Sequence, residues 1–175
     1  MTNTNVKKFV VSALFVAMAF VLSFIKIFKM PLGGSVTLFS MFVISLPAYL
    51  YGAKYGFAAA FAYSILQLLQ GGYVIHPVQM FLDYILAFTC FGIVAFFRDI
   101  KHGSYVGFLI ACIIRWLSSS ISGYIFFREY APATWNPAIY TLAYNGSYVF
   151  AEYIITIIFV TIPQVKKLLH QYKLQ

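Results

Sequence analysis

Long apolar runs, interrupted by short clusters of Lys, Gly and Pro, make up nearly the whole chain, and they lack the polar face of a water-facing helix. The first run extends from Phe9 to Phe28, between Lys7-Lys8 and the group Lys26, Lys29 and Pro31. That is about the 20 residues needed to cross a bilayer core. It exceeds a signal-peptide apolar region, lacks a small-residue cleavage signal and precedes further apolar runs, so it is expected to remain in the protein. Pro31-Leu32-Gly33-Gly34-Ser35 predicts a loop. Further helices are expected over about Thr37 to Tyr51, broken by Pro47; Tyr55 to Gln70, ended by Gly71-Gly72; Pro77 to Phe97; Tyr105 to Phe127; and Ala138 to Ile162, before a Lys-containing tail. The pattern predicts an all-α polytopic membrane protein, a six-transmembrane-helix bundle, with residues 1–175 forming a single membrane-embedded domain.

Composition narrows the class. Hydrophobic residues are 62% of the chain and charged residues 9%, against about 25% charged in soluble domains. The net charge of +8 does not point to nucleic acid, because the cations lie in small groups between apolar segments. With the N-terminus inside, Lys7, Lys8, Lys54, Arg98, Lys101, Lys166, Lys167 and Lys173 fall on the inner side, and Lys26, Lys29 and Arg128 on the outer. That bias predicts a cell-membrane protein with both termini cytoplasmic. Cys90 and Cys112 lie inside apolar runs and read as small buried hydrophobes, with no metal-ligand spacing and no cofactor expected. A Walker lysine in a Gly-rich loop is absent, so any ATP dependence belongs to a partner.

Polar residues inside the spans carry the most information. At 1.5 Å per residue, Asp83 is about 9 Å below the start of its helix and Asn145 about 10 Å below the start of the last. Ser118, Ser119, Ser120 and Ser122 approach the same outer depth, as do Tyr73, Tyr84, Phe126, Phe127, Tyr140, Tyr144 and Tyr148. A carboxylate, an amide, hydroxyls and ring faces in one layer describe a pocket for a small, flat molecule, neutral or cationic. Packing readings stand beside this: Asp83 as a structural carboxylate, Asn145 as interhelical glue, the serines as small contact residues and the tyrosines as an interfacial belt. Arg115 and Glu152, at roughly similar depths, predict a buried structural ion pair. Ala13 and Ala17, with Ser12 and Val16, form a small-residue ridge on the first helix, suited to packing or to docking.

The stretches Pro31-Leu32-Gly33-Gly34-Ser35-Val36, His76-Pro77-Val78-Gln79-Met80-Phe81-Leu82-Asp83-Tyr84, Ile121-Ser122-Gly123 with Phe126-Phe127, Tyr130-Ala131-Pro132 and Tyr140-Thr141-Leu142-Ala143-Tyr144-Asn145 carry a resemblance. In order and spacing, over nearly the whole chain, they resemble the thiamine-specific substrate-binding subunit (S-component) of energy-coupling factor (ECF) transporters. The resemblance implies six helices, a thiamine pocket near the extracellular side, and a driving module of one transmembrane coupling protein and two ATPases. It implies that Asp83 recognises the aminopyrimidine and offsets the thiazolium charge, and that Tyr73, Tyr84, Gly123, Phe127, Tyr140 and Asn145 are pocket residues. Ser119 falls where members usually have His, and Leu38 near a position that is Trp in some. Ala13 and Ala17 match the alanine ridge that contacts the coupling protein.

The expected function is therefore thiamine binding and delivery for ATP-driven uptake, the alternative being uptake of a thiamine precursor or another flat amine-bearing compound. No catalysis is expected, since no activated nucleophile or metal cluster accompanies the pocket. A membrane enzyme would have only Asp83 and His76 as catalytic groups, and His76 reads as a loop hydrogen-bonding residue. A purely structural subunit would leave the shared depth of the polar layer unexplained.

Overall fold

The computed structural model describes residues 2–173. Its helices are α1 (Thr2–Phe24), α2 (Ser40–Tyr51), α3 (Ala53–Leu69), α4 (Pro77–Phe97), α5 (Gly103–Phe126), α6 (Pro137–Val160) and α7 (Pro163–Lys173). A short antiparallel hairpin, β1 (Lys26–Lys29) and β2 (Ser35–Thr37), follows α1. Four helices, α1, α4, α5 and α6, are long and apolar enough to cross a membrane, and α2 is a shorter apolar helix. Large side chains on the outer face of α1, among them Phe9, Leu14, Val21 and Phe24, are exposed, as a hydrocarbon surround requires. The chain is an all-α, polytopic membrane protein.

Several boundaries differ from the sequence expectation: α1 begins at Thr2 rather than Phe9 and α2 at Ser40 rather than Thr37. The first helix stops at Phe24, and Lys26, Ile27 and Phe28, expected to complete it, belong instead to β1, because Pro31 and Gly33-Gly34 allow a tight return that pairs Lys29 with Ser35. The expected tail forms α7, opened by Pro163 in the first-turn position that proline favours.

The core is built by α2 and α3 packed on α4, with α5 between α4 and α6. Met41, Ile44, Tyr63, Phe91, Phe108 and Val149 are among its fully buried large side chains. Pro47 lies inside α2, where its neighbours are buried and the bundle supplies the contacts that the broken turn loses.

Helix α4 is irregular along its length. After one α turn from Pro77, residues Phe81–Leu86 adopt a π-helix, and Cys90–Phe97 tighten to a 3-10 helix. Wide π turns inside helices gather at functional positions because they re-aim side chains. Here the wide turn carries Asp83 and Tyr84.

Between β2 and α2 the chain turns sharply at Phe39, whose φ of 60° is left-handed. Such a backbone is strained for a bulky residue and persists only when its surroundings enforce it. Two groups on α6 do so. The Phe39 ring stacks on Phe159, with centroids 4.4 Å apart. Glu152 accepts hydrogen bonds on both sides of the turn, from the Thr37 N–H (2.8 Å), the Thr37 hydroxyl (2.8 Å) and the Met41 N–H (3.2 Å). The predicted Arg115–Glu152 ion pair is therefore not formed. Glu152 instead caps the start of α2, where orphan N–H groups and the helix dipole favour a carboxylate. Among the described residues, the ion pair within bonding distance is Arg98 with Asp99.

Candidate functional site

A cavity of about 570 Å³ opens between the hairpin, α1 and α3 on one side and α4, α5 and α6 on the other. All eight candidate binding residues, Tyr73, Asp83, Tyr84, Ser119, Gly123, Phe127, Tyr140 and Asn145, line it. Asp83 is half-buried, and its Oδ2 accepts from Gln79 Nε2 (2.7 Å) and from the Ser122 hydroxyl (2.8 Å). Both donors act on one oxygen, so Oδ1 remains available to a ligand's amine. Gln79 is also anchored, donating to the Tyr73 carbonyl (3.1 Å) and accepting from the Ile75 N–H (3.3 Å). The Tyr84 hydroxyl accepts from the Tyr73 N–H (2.9 Å), tying the loop before α4 to its π turn.

Asn145 is buried. Its amide donates to the Thr141 carbonyl (2.9 Å) and the Ser119 carbonyl (3.4 Å), while Oδ1 accepts from the Tyr148 hydroxyl (2.7 Å). Its donors are thus occupied within the protein, and the second lone pair of Oδ1 is the capacity left for a ligand. Gly123 permits this packing: a Cβ there would lie 3.1 Å from the Thr141 side chain and 3.5 Å from Asn145 Nδ2.

Aromatic rings frame the polar groups. Tyr140 stacks on Tyr144 with centroids 6.0 Å apart, and Tyr73 faces Phe127 at 6.3 Å. The hairpin closes over this wall. The Tyr144 hydroxyl donates to the Pro31 carbonyl and accepts from the Gly34 N–H (3.1 Å). Gly34 approaches so closely that a Cβ there would lie 2.6 Å from the Tyr148 ring.

Arg115 also lines the cavity. It lies seven residues before Ser122 on α5, about 10 Å further along the helix. Its guanidinium carbon is 4.2 Å from the centre of the Phe88 ring, a cation–π contact, and its buried Nε has no hydrogen-bond partner among the described residues.

Reading polar residues by depth found Asp83, Asn145 and Ser119 but missed Gln79, Gln67, Gln70, Ser23 and Lys26, which line the same cavity, while Ser118, Ser120 and Ser122 are absent from its lining. The glutamines stand near helix ends, where polar residues are ordinary. The signal available for Gln79 was its i to i+4 spacing from Asp83 on a common helix face. His76, read as a loop residue, accepts from the Val78 N–H (3.1 Å) and stacks on Phe126. Ala13 and Ala17 are exposed on α1, away from the cavity lining.

Residues 9–171 match the family described as "Thiamine transporter protein". The chain is 31% identical over 158 residues to "Thiamine transporter ThiT" of Bacillus subtilis, covering 79% of this chain and 82% of that one. It is 30% identical over 119 residues to the protein of the same name from Lacticaseibacillus paracasei, covering 58% and 59%. Its fold is similar to the solved structure of ThiT from Listeria monocytogenes, with a TM-score of 0.76, 23% identity, and coverage of 93% of this chain and 98% of that one.

Proposed function

The chain belongs to the thiamine transporter protein family, and on that premise we propose how its cavity holds the substrate and passes it on. The protein is a thiamine-binding S-component that delivers its substrate to an ECF-type, ATP-driven transporter, and it is not an enzyme.

In our reading thiamine occupies the cavity beside Asp83. The single observation that carries this is the convergence of Asp83, Asn145, Ser119, Gly123 and the rings of Tyr73, Tyr84, Phe127 and Tyr140 on one space. Asp83 accepts from the 4-amino group of the pyrimidine and offsets the thiazolium charge. Gln79 and Ser122 hold its carboxylate in place, so little ordering remains to be done on binding. Tyr140 and its neighbours offer ring faces to a flat cation. Ser119, lacking a ring, contributes a smaller contact.

We also read α2 and α3 as membrane-crossing, giving six spans with α1, α4, α5 and α6, in one domain whose termini are cytoplasmic. The Lys and Arg distribution supports this orientation. The driving module is read as one transmembrane coupling protein with two ATPases, meeting the subunit at Ala13 and Ala17.

Titration of the purified protein tests the pocket. Asp83→Asn, nearly isosteric, is expected to weaken thiamine binding by about 2–5 kcal/mol, the range for truncating one member of a buried charged pair. Unchanged affinity in a monodisperse variant would remove Asp83 from the site.

A further inference from the structure

We propose that α7 lies in the membrane surface at the end of the molecule remote from the cavity, and that its lysines bind the headgroups of anionic phospholipids.

The residues of α7 separate by type around the helix. With 3.6 residues per turn, positions Val165, Leu168, Leu169 and Tyr172 fall within one arc of about 100°, while Lys166, Lys167, His170 and Lys173 share another of about 120°. Gln164 and Gln171 complete the polar side. No carboxylate stands among these cations: α7 contains none, and Glu152 is the last acidic residue in the sequence. Lys166 and Lys167 are exposed, and neither lies within ion-pair distance of a carboxylate among the described residues.

The position of the helix in the fold supplies the second observation. Near its end, α6 exposes Ile154 and Ile158, large apolar side chains that belong in hydrocarbon. The Thr161 hydroxyl then donates to the carbonyls of Ile157 (2.9 Å) and Ile158 (2.8 Å), and Pro163 opens α7. So α7 starts within about two turns of lipid-facing residues, where acyl chains give way to headgroups. The cavity lining on α6 ends at Tyr148, about 18 Å along the helix from Val160.

A helix of 11 residues is marginal on its own in water, so its apolar arc needs cover. The chain brings α7 close to α6 and α2 but leaves Lys166 and Lys167 exposed. A short helix with a narrow apolar arc, a cationic side and little overall hydrophobicity is suited to the bilayer interface rather than to its core. There the apolar arc enters the acyl boundary, and the ammonium groups reach lipid phosphates through charge-assisted hydrogen bonds. Each lysine near an anionic surface favours the bound state roughly fivefold, and the helix has three.

The test is amide hydrogen exchange of the purified full chain in nanodiscs of phosphatidylcholine alone, or with an equal part of phosphatidylglycerol. The parent and the triple variant Lys166→Gln, Lys167→Gln, Lys173→Gln are compared, with thiamine titration of the same samples as a control on the bundle. In the parent, amides of residues 163–173 should exchange about tenfold or more slowly with phosphatidylglycerol present, and high salt should shrink the difference. The triple variant should lose the difference and bind thiamine within about twofold of the parent, because α7 is absent from the cavity lining. Equal exchange of the parent in the two lipids would overturn the proposal, as would a difference that survives in the triple variant. Protection that arises only on adding the coupling module, whatever the lipid, would overturn it too and give this face to a protein partner.

Discussion

Glu152 and Arg115 face different tasks although both are charges within apolar helices. Glu152 accepts from three donors flanking the Phe39 turn, whereas Arg115 rests on the Phe88 ring at the cavity. Glu152→Leu strips these donors of their acceptor and is expected to cost about 2–5 kcal/mol in unfolding experiments in detergent. Adding Arg115→Met should give a loss equal to the sum of the single losses within about 0.5 kcal/mol. Recovery of stability in the double variant would instead reveal an ion pair. At this scale the sequence was legible where polarity alone decides. Asp83, Asn145 and Ser119 stand out in apolar runs and meet in the cavity, with Ser122 behind them donating to Asp83. The partner of Glu152 was not legible, because it is the backbone of a turn 115 residues earlier in the chain, and depth along a helix says nothing about which neighbouring element a side chain reaches.

At the scale of elements, apolar run lengths identified all the long helices; most limits moved by one to four residues, but α1 begins at Thr2, seven residues before the expected start. The hairpin was hidden because Lys26 to Lys29 continues the apolar run of α1, and strand pairing depends on the return at Gly33-Gly34. The π turn in α4 was hidden as well, since its residues have no composition that separates it from an ordinary helix. The hairpin has a functional consequence. Tyr144 joins its tip to α6 through one hydroxyl that both donates and accepts. Tyr144→Phe keeps the ring and removes both bonds, so thiamine should leave faster, by up to about tenfold, with the association rate little altered. Stopped-flow displacement with excess unlabelled ligand measures this. An unchanged dissociation rate would show that the tip of the hairpin does not hold the substrate in.

For the whole molecule, the separation between cavity and ridge matters most. Ala13 and Ala17 are exposed on α1 and absent from the cavity lining, so binding and coupling can be tested independently. Replacing both by Leu adds bulk at a surface where two backbones would approach closely, while costing the isolated subunit little. The double variant should bind thiamine like the parent but neither co-purify with the coupling module nor support uptake. Parental uptake would remove this face from the docking surface.

The central claim, that the cavity around Asp83 is the thiamine site, is tested most directly by an experimental structure of the purified protein with thiamine bound. Ligand density is expected inside the cavity, with the 4-amino group within hydrogen-bond distance of the Asp83 carboxylate and the ring system against Tyr140. Thiamine density outside this cavity, with Asp83 making no contact to it, would place the substrate site elsewhere in the molecule.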